Sequence, residues 1–299
     1  MLPLMVLGQP KSRLTSMQRS RKHWLSLAAA LGVAAGSLPP ASAADLPAPA
    51  APAPPVAARS ASIDWSGFYL GGFAGGSFAS SSQSYGVSST WVSANVPSII
   101  PFIDAAGSQS LRAQGADLGL DGGYDWRVAK TFVLGVAGDV NWSHLGGERT
   151  TSGVLPVVQL PYSITQQLSA DWFGSLRLRA GAVPLDHLLV YVTGGPALGH
   201  FTYSASFWDN LIPPFAPGNE TESSRFQAIR LGWTLGTGAE WAVTRNWSLS
   251  GEWRRSEFAA VSGVGVLPLQ QPPSTAYLSH STGPIQVNSL RVGLNYHFD

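Results

Sequence analysis

Apolar and polar positions alternate with period two in eight stretches of this chain, at about 65–78, 114–126, 131–143, 169–183, 187–203, 226–241, 246–258 and 288–298. In the third, Phe132, Leu134, Val136, Gly138, Val140 and Trp142 share one face, and Val133, Gly135, Ala137, Asp139 and Asn141 the other. In the last, Leu290, Val292, Leu294, Tyr296 and Phe298 alternate with Arg291, Gly293, Asn295 and His297. Such alternation puts successive side chains on opposite sides of a β-strand. From Ile63 onward no window longer than about a dozen residues is continuously apolar, so no transmembrane helix is predicted there.

The connections alternate as well. "RVAK", "PLD" and "AVTRN" are tight turns, whereas the gaps 79–113, 144–168, 204–225 and 259–287 are long and rich in Ser, Pro, Asn and Gly. Short turns at one end and long loops at the other are the plan of an outer-membrane barrel. A soluble sandwich would bury the same apolar faces in a core. The aromatics choose between the two. Trp65, Trp126, Phe132, Trp241, Trp247, Tyr296 and Phe298 fall at the turn ends of their segments. Phe78, Trp142, Trp172, Phe201, Tyr203, Phe226 and Phe258 fall at the loop ends. Two belts match two membrane–water interfaces, where amphipathic rings settle at headgroup level. The prediction is therefore all-β: an eight-stranded antiparallel up-and-down transmembrane β-barrel, with short periplasmic turns and long extracellular loops. Apolar faces meet lipid and polar faces the lumen. The faces of 187–203 are not assignable from its pattern.

On that map the lumen carries the acids Asp117, Asp121, Asp125, Asp139, Glu240 and Glu252 and the bases Arg177, Arg179, Arg230, Arg254 and Arg291. Eight strands leave an interior just wide enough for side chains. Isolated charges there are costly, so these are expected to pair as a structural plug. The alternative is a narrow ion path between the pairs.

Composition adds compartment and excludes chemistry. Charged residues make up 12% of the chain and net charge is +1, so no polyanionic partner and no nucleic acid is expected. With no cysteine, disulfides and thiol chemistry are excluded. Arg19, Arg21 and Lys22 precede the apolar run "LSLAAALGVAAGSL", and Ala41-Ser42-Ala43 makes a small-x-small site before Ala44. This order predicts a cleaved export signal, with scission between Ala43 and Ala44 and Met17 as the initiator. The predicted organisation is an extension and signal peptide (1–43), a Pro/Ala-rich periplasmic linker (44–63) and the barrel (64–299).

The segments "DWSGFYLGGFAGG", "GYDWRV", "VLGVAGDVNWS", "DWFGSLRLRAG", "LLVYVTGGPALG", "LGWTLGTGAEWAVTRNWSLSGEWR" and "LRVGLNYHF", in this order, resemble the small outer-membrane β-barrel proteins of alphaproteobacteria. That family is the outer-membrane immunogenic or RopB-type porin-like one. The resemblance spans residues 64–298. It implies an abundant surface antigen that supports envelope integrity, with lipid and lipopolysaccharide around it. It also implies recognition of the C-terminal strand by the barrel-insertion machinery, and it brings no catalytic residues. The family's assembly signal ends on the last aromatic, whereas Asp299 follows Phe298 here. The loops match poorly, so no extracellular ligand is inherited.

Other chemistry finds little footing. A lipid-modifying enzyme needs a nucleophile and base near the outer interface. The candidates are Ser143-His144, His200 with Ser204, and Ser279-His280-Ser281, none with an acid at a recognised spacing. No His/Asp cluster has metal-ligand spacing, "GGFAGG" leads into no helix, and no cofactor is expected. The loop 79–113, with Tyr85, Trp91, Ile99, Ile100 and Phe102, is expected to cover the mouth or meet a partner. Three functions remain: a structural and surface-interaction protein, a small-solute channel, and, last, a lipid-modifying enzyme. Unboiled protein is expected to migrate differently from boiled protein on a denaturing gel. No shift, together with wholly soluble fractionation, would remove the barrel.

Overall fold

The computed structural model describes residues 64–88, 99–156, 159–210, 221–268 and 275–298. Ala43, Ala44, the linker, Trp91 and Asp299 lie outside these. Among the described residues, ten strands and one helix follow in chain order: β1 (Gly67–Val87), α1 (Ile100–Gly107), β2 (Ser110–Ala129), β3 (Phe132–Val154), β4 (Pro161–Leu185), β5 (Leu188–Asp209), β6 (Thr221–Ala242), β7 (Trp247–Phe258), β8 (Ser262–Pro268), β9 (Thr275–Thr282) and β10 (Ile285–His297). β1 to β7 pair with their chain neighbours, β10 pairs with β7, and β10 also pairs with β1. The last contact runs from Tyr69↔His297 to Ser80↔Gln286 and closes an eight-stranded antiparallel ring. At the closing seam Gly67 takes φ +125°, where a Cβ would lie 3.0 Å from the Phe298 carbonyl. Beside it the Phe298 N–H donates to the Phe68 carbonyl at 2.8 Å.

Face assignment follows the pleat. The outer surface is an apolar band that includes Leu70, Leu120, Leu134, Leu178, Val192, Leu231 and Leu249, all exposed. On β10 the same band continues through Leu290, Val292 and Leu294. The alternate residues of each strand turn into the ring. β5, whose pattern did not assign itself, points Leu189, Tyr191, Ala197 and Phe201 inward and Val190, Val192 and Leu198 outward. Among the described residues no helix is long and apolar enough to cross a membrane; the crossing is made by strands.

The segments expected as long loops are largely strand. β3 and β4 stay paired from Leu145↔Ala170 out to Val154↔Pro161, and β5 and β6 out to Trp208↔Thr221. Their Ser and Thr residues read as loop, but hydroxyl and β-branched side chains suit a strand whose outer face meets water. The gap 259–287 holds the hairpin β8–β9, and β9 extends the sheet along β1 from Gln83↔Thr282 to Val87↔Leu278. α1 lies within 79–113. Its Ile103, with Ile99 before it, packs in a cluster with Tyr85, Leu155, Tyr162, Ile164, Phe207 and Leu278. The Gln166 amide donates to the Gly107 carbonyl at 2.9 Å, and the Val87 N–H donates to Asp104 at 2.9 Å. Burial pushes the Tyr85 hydroxyl well above its ordinary pKa.

Leu178 is 70% exposed in the apolar band. Leu178→Arg is expected to lower folding stability in lipid by about 2–4 kcal/mol, the cost of an arginine near the bilayer midplane. Ser82→Arg, on the far extension of β1, should change it by less than about 1 kcal/mol. Urea titration of both variants in phospholipid vesicles checks the difference.

Candidate functional site

The interior is built in layers from the turn end to the loop end. Trp65, Val133, Val183, Leu189, Tyr191 and Ala242 form the first. Trp65 was expected in the outer belt, yet it is 1% exposed. It precedes β1 and folds under the ring, where its indole N–H donates to the Asp186 carbonyl at 3.3 Å and its ring meets His297 edge-on. Trp126, Phe132, Trp142, Trp241, Trp247 and Phe298 do face outward, and Trp172 and Tyr296 are half-buried there.

Above Trp65 lies a first ion cluster. Arg179 donates to Asp125 at 3.0 Å and to Glu240. Glu240 also accepts from Asn295 at 2.8 Å and lies 2.9 Å from His297. The Arg179 guanidinium sits 4.0 Å from the Tyr191 ring centre, a cation–π contact. A second cluster follows. Asp139 accepts from Arg177 at 3.1 Å, Arg254 at 3.0 Å and Arg291 at 3.2 Å. Glu252 accepts from Arg177 at 2.8 Å and Arg254 at 2.9 Å. The bonds cross the lumen and tie β3, β4, β7 and β10 together.

Three of the predicted charges stand apart from these pairs. Asp117 accepts from the Ser77 hydroxyl. Asp121, whose register partner on β3 is Asp139, has one buried carboxylate oxygen without a hydrogen bond. Arg230 lies further along, level with Gly199, and among the described residues it makes no ion pair. Its place is above the charged layers, because β6 runs on past the end of β7. His297 and Asn295 were not among the predicted charges, although both lie on the polar face of the last strand.

The next layer is apolar. Phe173, Phe201 and Phe258 pack with ring centres 5.1 to 5.7 Å apart, joined by Leu111, Leu145, Leu168, Tyr203 and Val287. Phe201, Tyr203 and Phe258 were expected in the outer belt; their height was right but their face is inward, and Phe226 packs against the same cluster. Between this layer and the second ion cluster is a cavity of ≈ 10 Å³, room for about one water molecule.

The sequence matches the family model for the outer membrane protein beta-barrel domain over residues 28–298. The chain belongs to this outer-membrane β-barrel family. The outer membrane is therefore its location, with lipid and lipopolysaccharide around it. It is 29% identical over 249 residues to the 31 kDa outer-membrane immunogenic protein of Brucella melitensis, covering 82% of this chain and 88% of that one. The Brucella suis protein of the same name matches equally. OprG from Pseudomonas aeruginosa aligns with 80% of this chain and 100% of its own at 11% identity, with a TM-score of 0.38.

Removing one partner from a buried ion cluster leaves the others uncompensated. Glu240→Ala in this barrel is expected to cost about 3–5 kcal/mol, since Arg179 keeps only Asp125. Arg230→Ala, with no ion pair to lose, should cost less than about 1 kcal/mol. Urea midpoints of the two refolded variants give the comparison.

Proposed function

We propose that this barrel acts through its outer surface, as a structural protein and antigen of the envelope, and that its lumen is a plug. The observation that carries this is the phenylalanine layer stacked directly on the ion clusters. A hydrated path would have to cross both a set of mutually neutralised charges and an apolar seal. The loop-end cluster around Ile103 and Tyr85 adds a third layer. The similarity to proteins named immunogenic supports surface exposure.

A lipid-modifying enzyme is the weaker alternative. His200 has an acid at hand, since its Nδ1 lies 2.9 Å from Asp171, and His280 lies 3.3 Å from Glu222. Among the described residues no hydroxyl is hydrogen-bonded to His144, His200 or His280, which weighs against a nucleophile–base pair there. The closing strand, with Tyr296 and Phe298 at its end, is the proposed contact for the barrel-insertion machinery.

Planar-bilayer recording tests the plug. The refolded protein is expected to give no steady unitary conductance. Steady channels whose ion selectivity changes on Arg177→Ala or Asp139→Ala would replace the plug with a conduction path.

A further inference from the structure

Four strands carry a polar trough on the outward face, just beyond the outer aromatic row. In that row Trp142, Trp172, His200 and Ile229 stand in register across β3, β4, β5 and β6. The next outward row is Gly146, Ser169, Thr202 and Gln227, and the one after it Glu148, Gln167, Ser204 and Arg225. Their strand neighbours Leu145, Leu168, Ala170, Phe201 and Tyr203 are buried inside the ring, which fixes these two rows as outward. The trough between them measures ≈ 390 Å³, within the range of small-molecule sites.

Its chemistry suits a sugar. Small side chains make the floor, and hydroxyl, amide and carboxylate groups supply both donors and acceptors. The Gln167 amide is held by Glu148, and Asp171 holds the His200 ring. Arg225 closes one end with a guanidinium, the group that best grips phosphate. Leu168, the one large apolar residue that lines it, is 1% exposed and turns into the ring, so it offers no anchor of the kind a protein partner would use. Depth supplies the remaining constraint: tryptophans mark the level of lipid headgroups, and the trough lies one step beyond them. We propose that it binds the phosphorylated sugar headgroup of an outer-leaflet glycolipid, lipopolysaccharide. This rests on the outer-membrane location and on the loop end facing out of the cell, and is independent of whether the lumen conducts.

Gly146 provides the test. A Cβ there meets nothing within 4 Å, and its φ is not positive, so Gly146→Phe fills the trough without straining the backbone. Ser80→Phe, at an exposed outward position on β1, is the control. The refolded full chain is mixed with purified lipopolysaccharide, taken through detergent exchange, and the retained lipid is measured by native mass spectrometry. Wild type and Ser80→Phe are expected to retain it, while phosphatidylglycerol washes away. Gly146→Phe should weaken retention about tenfold, the loss of a few hydrogen bonds. Arg225→Glu should weaken it too, and less so for dephosphorylated lipopolysaccharide. Unboiled gel mobility confirms folding of each variant, and Arg225→Glu decides alone if Gly146→Phe does not fold. Equal retention by wild type and the folded trough variants overturns the proposal. So does equal retention of phosphatidylglycerol, or displacement by deacylated oligosaccharide as strong as by intact lipid, which would assign the trough to a soluble glycan.

Discussion

Inside a bilayer a backbone N–H or C=O finds no water, and each one left unpaired costs several kcal/mol. A sheet can satisfy this only by having no edge. The pairing of β1 with β10 is therefore the contact on which the barrel depends. It joins Tyr69 to His297, from opposite ends of the barrel sequence, and every other feature of the membrane-spanning part presupposes it. Once the ring is closed, alternation sends one set of side chains to lipid and the other into a lumen of fixed width.

That width sets the character of the interior. Side chains from opposite walls meet, so a charge entering the lumen must find its partner across it. Arg177 reaches Asp139 on the neighbouring strand and Glu252 on the far wall. Arg179 bridges Asp125 on β2 and Glu240 on β6, each two strands from its own. The ion clusters thus brace the cylinder, and the phenylalanines beyond them exclude the water that would weaken those pairs. Past the membrane the constraint relaxes. Polar residues turn outward, strands run on as hairpins, and β9 takes over as β1's partner beyond Ser80, where the pairing with β10 stops.

Much of this was legible in the chain. Alternation, turn spacing and aromatic placement pointed to the eight strands, the ring and the lipid face, because each is a local pattern with a fixed period. The two faces of β7 and β10 could be read residue by residue, including Glu252, Arg254 and Arg291. Height alone proved a poor guide to face: Phe201 and Phe258 sit at belt level but point inward. Trp65 misled for another reason, since it lies before the first paired residue of β1 and the pleat does not govern it.

Other features emerged only where the period breaks or where distant residues meet. At the bulge between Ala170 and Trp172, β4 changes parity: Phe173, Arg177 and Arg179 point inward at odd positions, and Leu168 and Ala170 at even ones. One extra residue shifts every side chain beyond it to the other face, and no composition signal marks it. The choice of ion partners was equally hidden, because Arg230 and Arg254 look alike in sequence and only the height of each in the cylinder separates them. Local periodicity was enough to specify a closed barrel with an apolar outside and a charged inside. Which charges meet, and which hydroxyl-bearing rows line the outward trough, followed from register, a property of pairs of strands and not of any one of them.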